Sequence, residues 1–333
     1  MGSNLCSSVK SARVRYLGPS PKPSFGIREL RNTVSAESFA TSMALVFNTG
    51  SDIWANVDEV AAAEVVVISE AKISRRKYWE VEGTQQPWKL STEQTVSEAE
   101  RLTISALEAQ LYADVPVGSM LSGGLDSSLV SAVAAKHFPL STFTIDYIDQ
   151  AHEFTGDELR VDHDTPFAAE TAAFLATNHD VLMMDPEQLM DGEYRRAVVR
   201  SRDSPIGVGD MNTSLFLLFR HIAQQNKVFL SGEGADEIFA GYPWFNSTAA
   251  QEFSRFPWTM IRKNQAALPL AEGLLPQLAI QEIQESAKKL DESQAPTVYG
   301  DNSENTKRRQ LQYISLKRWL GHAESNRSTQ HGQ

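Results

Sequence analysis

The sequence predicts an α/β fold, a doubly wound and mostly parallel sheet with helices on both faces, followed by a helical C-terminal part. Short apolar runs alternate with stretches of helical periodicity between about residues 97 and 230. Strands that alternate with helices pair in parallel, and their helices cover both faces of the sheet. Two of these strands run into Ser-Gly loops, and beyond about residue 250 the pattern is helical and more polar.

Composition and charge exclude several classes of protein. The 333 residues are 41% hydrophobic and 22% charged, which is ordinary for a globular protein with a sizeable core. A net charge of −11 argues against a nucleic-acid partner, because a polyanion needs a basic surface. The single cysteine, Cys6, fits a reducing compartment. No apolar stretch is long enough to span a bilayer and no signal peptide is evident, so we expect a cytoplasmic protein without a membrane partner.

The first ninety residues predict little regular structure. Residues 1–50 are interpreted as a poorly ordered or unassigned lead, because proline occupies every second position near residues 18–23. Residues 64–68 and 72–79 predict strands, and a linker begins near Gln85.

Helices and strands alternate after this linker. Ser97 and Glu100 fit a capping box for a helix over 97–111. The remaining elements are expected as a strand over 116–121, a helix over 126–137, a strand over 142–145 that ends at Asp146, a helix over 166–176, a strand over 180–184, a helix over 215–225 and a strand over 227–230.

The loop that follows the strand at 116–121 predicts an anion site. Residues 121–128 read Leu-Ser-Gly-Gly-Leu-Asp-Ser-Ser and lead into a helix, whose N-terminal N–H groups and dipole favour a phosphate. Gly123 and Gly124 allow the backbone to approach that phosphate closely. Asp126 is a candidate Mg²⁺ ligand. No lysine follows the glycines, so the loop is not a P-loop of the GxxxxGK[ST] kind.

A second acidic loop follows the strand at 227–230. It reads Ser-Gly-Glu-Gly-Ala-Asp-Glu over residues 231–237. Either loop alone is more often a turn or a helix cap. Both together, at strand ends that meet at one edge of a sheet, favour a site in which Asp126 and Asp236 share a divalent cation beside a polyphosphate.

Residues from about 79 to 245 resemble the synthetase domain of glutamine-dependent asparagine synthetases. That family has the ATP-pyrophosphatase fold, which is adenine nucleotide alpha-hydrolase-like. The segments that carry the resemblance are 114–118 leading into 122–128, 143–145, 203–205 through Asp210, and 231–237 with Gly241 and Tyr242.

This resemblance implies ATP and Mg²⁺ as cofactors and a role for each matching residue. Asp126 and Asp236 would hold Mg²⁺, and Glu233 would be catalytic, activating or orienting the acyl-adenylate reaction. The implied reaction is adenylation of a carboxylate by ATP with release of pyrophosphate, followed by amidation with ammonia. The implied ATP-binding residues are Leu121, Ser122, Gly123, Gly124, Asp126, Ser127, Ser128, Ile145, Ser231 and Gly232.

The two ends of the chain depart from the family pattern. Met1 and Gly2 stand where the family has its N-terminal cysteine nucleophile. Residues 51–90 are interpreted as a remnant of the glutaminase domain with a linker. Residues 91–333 are interpreted as a synthetase-like domain that is incomplete at its C-terminus and lacks a matching lysine.

Three interpretations of function therefore stay open. The first is an amide synthetase that acts on aspartate or a related acid, with free ammonia or ammonia from a separate glutaminase. The second is an amidotransferase of natural-product biosynthesis that acts on a different acid. The third is a non-catalytic remnant that only binds nucleotide. The sequence also leaves a homodimer open.

Overall fold

The computed structural model describes residues 7–10, 15–18, 33–34, 54, 57–69, 72–79, 90–149, 154–155, 162–202, 209–242, 245 and 285. The chain divides into two compact units. One contains residues 1–83, 202–207 and 237–333, and the other contains residues 84–201 and 208–236. The domain boundaries expected from the sequence stay predictions.

Among its described residues, the first unit contains two antiparallel sheets. Its strands are β1 (Ser7–Lys10), β2 (Arg15–Gly18), β3 (Val57–Glu59), β4 (Glu64–Ile68) and β5 (Ile73–Lys77). The first sheet has the order β2-β1-β3, and β4 pairs with β5. The β4–β5 pair confirms the strands predicted for residues 64–68 and 72–79. The strands β1 and β2 were not predicted, because they are only four residues long and β1 pairs on its other side with the distant strand β3.

The second unit is built around a parallel sheet. Its elements, with the two helices that reach its boundary, are α1 (Thr92–Ala109), β6 (Val117–Met120), α2 (Leu125–Ala135), β7 (Ser141–Tyr147), α3 (Asp164–Leu175), β8 (Asn178–Met184), α4 (Pro186–Met190), α5 (Gly192–Arg202), α6 (Gly209–Ile222), β9 (Val228–Leu230) and α7 (Ala235–Phe239). The four strands lie in the order β8-β7-β6-β9, and every pairing is parallel. The predicted α/β fold class is confirmed.

The strand order reverses at β6, which pairs with β7 on one side and β9 on the other. Met120 lies opposite Phe143, and Ser119 lies opposite Leu230. The loops that leave β6 and β9 therefore begin beside each other at the carboxyl edge of the sheet. In open α/β sheets, ligands bind at such a reversal.

Apolar side chains cover both faces of this sheet, as its doubly wound topology requires. On one face, a cluster joins the sheet to α2, and α1 packs against it. It consists of Val117, Val130, Ala134, Leu140 and Leu230. On the other face, a cluster joins the sheet to α4 and α6. It consists of Phe143, Met184, Leu189, Leu218 and Ile222.

Several element boundaries differ from those predicted. The capping box of α1 is formed by Ser91 and Gln94, so the helix begins at Thr92 and the proposed box at Ser97 and Glu100 is wrong. The first turns of α1 are largely exposed, and they therefore carry no apolar periodicity that would have shown the true start. The helices α4 and α5 were not predicted, since α5 is rich in arginine and buries only Val198.

Two further expectations concern the C-terminal part of the chain and membrane-spanning helices. The helical part predicted beyond about residue 250 lies outside the described residues, apart from Glu285. Among the helices that the structure describes, none combines the length and the hydropathy needed to cross a bilayer.

Removing the Phe143 ring is expected to destabilise the protein by about 3–5 kcal/mol, because the Phe143→Ala cavity would lie between the sheet and its helices. Phe143 is 2% exposed, whereas Phe174 on α3 is 87% exposed. Phe174→Ala, the matched control, should change stability by less than about 0.5 kcal/mol. Urea-induced unfolding measures both changes, and equal losses would contradict the burial of Phe143.

Candidate functional site

The loop between β6 and α2 is held by serine side chains. The Ser127 hydroxyl accepts a hydrogen bond from the Ser122 N–H at 3.2 Å and donates one to the Gly124 carbonyl at 3.2 Å. The hydroxyls of Ser122 and Ser127 lie 3.0 Å apart. Gly124 is the N-cap of α2 and contributes no side-chain hydrogen bond there. The Ser127 side chain therefore fixes the conformation of this loop, which leads directly into the N-terminus of α2.

Gly123 is required by both its conformation and its surroundings. Its φ is +85°, in the left-handed region that favours glycine. A Cβ at this position would lie 2.6 Å from the Ala168 N and 2.7 Å from the Phe167 C, both backbone atoms of α3. The first turns of α3 therefore support the loop directly.

Gly232 brings the second loop against the first. A Cβ at Gly232 would lie 2.9 Å from the Cβ of Asp126 and 2.9 Å from the Ser127 N. Within the second loop, the Glu233 N–H donates to the Ser231 hydroxyl at 3.2 Å, and Gly234 has a φ of +97°. The structure thus brings together the two loops that the sequence placed at one edge.

Asp126 and Asp236 interact across this contact. Partial burial and, secondarily, the negative charge of Asp236 raise the pKa of the Asp126 carboxyl above its ordinary value, although the residue is still exposed. Two carboxylates that repel each other are a suitable donor set for a divalent cation. Among the residues that the structure describes, no three His, Cys, Asp or Glu side chains group together as metal ligands. A Mg²⁺ ion at this pair would therefore need phosphate or water oxygens to complete its coordination.

The other predicted site residues lie around these loops in different environments. Leu121 is buried with Ala168 and Ala172, so only its backbone could face a ligand. Ser128 is half-buried and its N–H donates to the Gly124 carbonyl at 3.0 Å. Ile145 packs against the cluster around Phe143. Ser231 and Glu233 are exposed.

A largely buried pair at the carboxyl end of β7 was not predicted as part of the site. Asp146 Oδ1 accepts hydrogen bonds from the Tyr147 N–H at 2.8 Å and from His163 Nε2 at 2.9 Å. His163 is the N-cap residue of α3. The only signal was an aspartate directly after a predicted strand, and nothing in the sequence indicated its partner 17 residues later.

Comparison with known proteins decides the family. The sequence model of the asparagine synthase family matches residues 98–329. The chain belongs to the asparagine synthase family. It is 31% identical over 273 residues to asparagine synthetase [glutamine-hydrolyzing] 3 of Bacillus subtilis, a match that covers 80% of this chain and 43% of that protein. It is 34% identical over 142 residues to asparagine synthetase [glutamine-hydrolyzing] 3 of Arabidopsis thaliana, covering 42% of this chain and 24% of that protein.

The chain thus spans less than half the length of these asparagine synthase relatives. Among solved structures, it is similar to an NMN synthetase from Francisella tularensis at 14% identity and a TM-score of 0.31. That likeness covers 73% of this chain and 100% of the other.

Adding a methyl group at Gly232 should separate the two loops of this asparagine synthase family member. We expect Gly232→Ala to destabilise the protein by about 1–3 kcal/mol, because its Cβ would meet the backbone at Asp126 and Ser127. In Gly124→Ala the nearest atom to the new Cβ would be Ser122 Oγ at 3.5 Å, an ordinary contact, so this control should lose less than about 1 kcal/mol. Chemical unfolding measures both, and a neutral Gly232→Ala would show that the loops do not touch.

Neutralising Asp236 is expected to lower the pKa of Asp126. Asp236→Asn removes the like charge but leaves the burial, so the pKa should fall and still stay above its ordinary value. Carboxyl NMR titration measures it. Asp185→Asn is the control, because Asp185 accepts from the Glu187 N–H at 2.9 Å and takes no part in the Asp126 shift. An unchanged pKa in Asp236→Asn would contradict the interaction.

The raised pKa of Asp126 also determines how stability and Mg²⁺ affinity should each change with pH. Without metal, the ionised form is the disfavoured one in the fold, so this group lowers stability as pH rises from its ordinary pKa through its raised pKa. Metal binding requires ionised carboxylates, so Mg²⁺ affinity should weaken as pH falls through the same interval. Both trends should shrink in Asp126→Asn.

Proposed function

We propose that this protein is an ATP-dependent, amide-forming synthetase that adenylates a carboxylic acid and passes its acyl group to ammonia. The acid is aspartate or a related carboxylate, and the product is asparagine or the corresponding amide. The contact between Gly232 and Asp126 is the observation that carries the proposal, because it joins both family loops into one site. Membership of the asparagine synthase family supports the reaction class.

The first loop is suited to bind the pyrophosphate part of ATP. The N-terminus of α2 presents backbone N–H groups and the positive end of a helix dipole. The Ser127 hydroxyl maintains the conformation of this loop through its hydrogen bonds to the Ser122 N–H and the Gly124 carbonyl. We infer that residues 122–128 bind the phosphates and that Leu121, Ile145, Ser231 and Gly232 border the adenosine.

The carboxylate pair gives this site its requirement for a cation. Asp126 and Asp236 would otherwise repel both each other and the polyphosphate. Mg²⁺, when bound, would supply the charge that brings these anions together. We propose that the two aspartates hold it.

The proposed reaction then depends more on the orientation of its substrates than on reactive side chains. A carboxylate oxygen of the substrate attacks the α-phosphorus of ATP, and the bond to the pyrophosphate breaks. Ammonia attacks the acyl carbon of the adenylate, and AMP leaves with the bonding electrons. Holding two anions in line is an entropic and electrostatic task. Glu233, exposed on the second loop, is proposed to orient or activate the second step.

Pyrophosphate release tests this function. The full chain is incubated with ATP, Mg²⁺, ammonium and a panel of carboxylic acids, and both pyrophosphate and AMP are measured. We expect release that depends on one acid and is reduced at least about a hundredfold in Asp126→Asn. Glu100→Gln, which neutralises an exposed carboxylate on α1, is the matched control and should leave the rate unchanged.

The identity of the acid separates the remaining interpretations. Release with aspartate supports asparagine formation, and release with another acid supports an amidotransferase of a different pathway. If calorimetry shows ATP binding and no acid supports turnover, the synthetase proposal fails and a nucleotide-binding remnant remains. Glutamine in place of ammonium shows whether a separate glutaminase must supply the ammonia. The cytoplasmic location stays a prediction, as does the homodimer that the sequence leaves open.

A further inference from the structure

We propose that Asp146 and His163 are positioning residues that hold α3 against the phosphate loop. Their link runs from the carboxyl end of β7 to the first turn of α3, and α3 in turn contacts Gly123. The predicted effect of this pair on ATP affinity rests on the proposed function. Its predicted effect on the conformation of the loop does not.

Asp146 and His163 form a largely buried hydrogen bond. Both side chains are largely buried, and His163 Nε2 lies 2.9 Å from Asp146 Oδ1. The same oxygen accepts the Tyr147 N–H at 2.8 Å, which orients the carboxylate at the end of its strand. The ring of Phe154 lies beside the imidazole, with 5.9 Å between their centroids. A hydrogen bond in such surroundings is electrostatically stronger than one at the surface.

His163 directs its side chain towards the sheet and does not cap its own helix. It occupies the N-cap position of α3, where side chains usually bond to the N–H groups of the first turn, yet it makes no such bond. Its imidazole bonds to Asp146 on β7. The helix therefore has no side-chain cap from His163, and its N-cap residue is instead bonded to the strand.

The first turns of α3 determine how far the loop can move. The backbone at Phe167 and Ala168 lies so close to Gly123 that not even a methyl group fits between them. Ala168 is fully buried together with Leu121, at the start of the loop. A shift of the α3 N-terminus would consequently open space under residues 121–124.

The chain offers a matched control in a second histidine–aspartate pair. His221 Nε2 on α6 lies 2.6 Å from Asp180 Oδ2 on β8. This pair joins a helix to a strand by the same chemistry, but α6 packs with Leu218 and Ile222 in the cluster that does not include the loop. Losing this bond should destabilise the protein without changing the loop.

Hydrogen exchange of the full chain without nucleotide tests the positioning role. In His163→Ala, the amides of residues 121–128 should exchange about fivefold faster, the loss expected for one hydrogen bond. His163→Gln can still donate to Asp146 and should recover part of the protection. His221→Ala should leave these amides unchanged. If His163→Ala does not fold, Asp146→Asn replaces it, with a smaller increase expected because its amide oxygen still accepts the bond.

Calorimetry of Mg²⁺-ATP binding then separates this inference from the proposed function. We expect His163→Ala to weaken binding about fivefold and His221→Ala to have no effect. If the wild-type chain binds no ATP but the loop amides of His163→Ala still exchange faster, the positioning role is supported and the proposed function is overturned. Unchanged loop exchange in His163→Ala, or an equal change in His221→Ala, would overturn the positioning role, whether or not ATP binds.

Discussion

The pairing of β6 with β7 on one side and β9 on the other determines where every polar group of the site lies. This arrangement reverses the strand order, so the chain leaves two neighbouring strands in loops that meet. The helices α2 and α6 must then cover opposite faces of the sheet, which the two apolar clusters achieve. The position of both Ser-Gly loops follows from one topological feature, and neither loop alone indicates a site.

Close packing at two glycines restricts the conformations that the loops can adopt. Gly123 lies against the backbone of α3, and Gly232 lies against Asp126 and Ser127. Where a missing Cβ is filled by neighbouring backbone, the loop has little freedom to adjust its shape. The same packing keeps Asp126 near Asp236 despite their repulsion. Such a preorganised arrangement suits a reaction that depends mainly on orientation and on neutralising charge.

Local patterns predicted most of the second unit, and their failures have physical causes. The strands β6, β7, β8 and β9 were predicted because each contains a short run of apolar or β-branched residues, and these runs alternate with stretches of helical periodicity. The start of α1 was wrong because exposed polar turns carry no periodicity, and only the Ser91 cap marks the boundary. The missed strands β1 and β2 depend on pairing with each other and with β3, more than 40 residues further along the chain.

The sequence by itself determined the fold class, the two Ser-Gly loops and the acidic residues that they carry. Either loop alone is more often a turn or a helix cap, and only the occurrence of both after two strands of one sheet indicated a site. Only the tertiary structure decided that Gly232 touches Asp126, that Leu121 is buried, and that His163 reaches Asp146. The physical reason is that these contacts join residues from separate elements. Their distances depend on how the strands align and how helices pack, which no local spacing encodes.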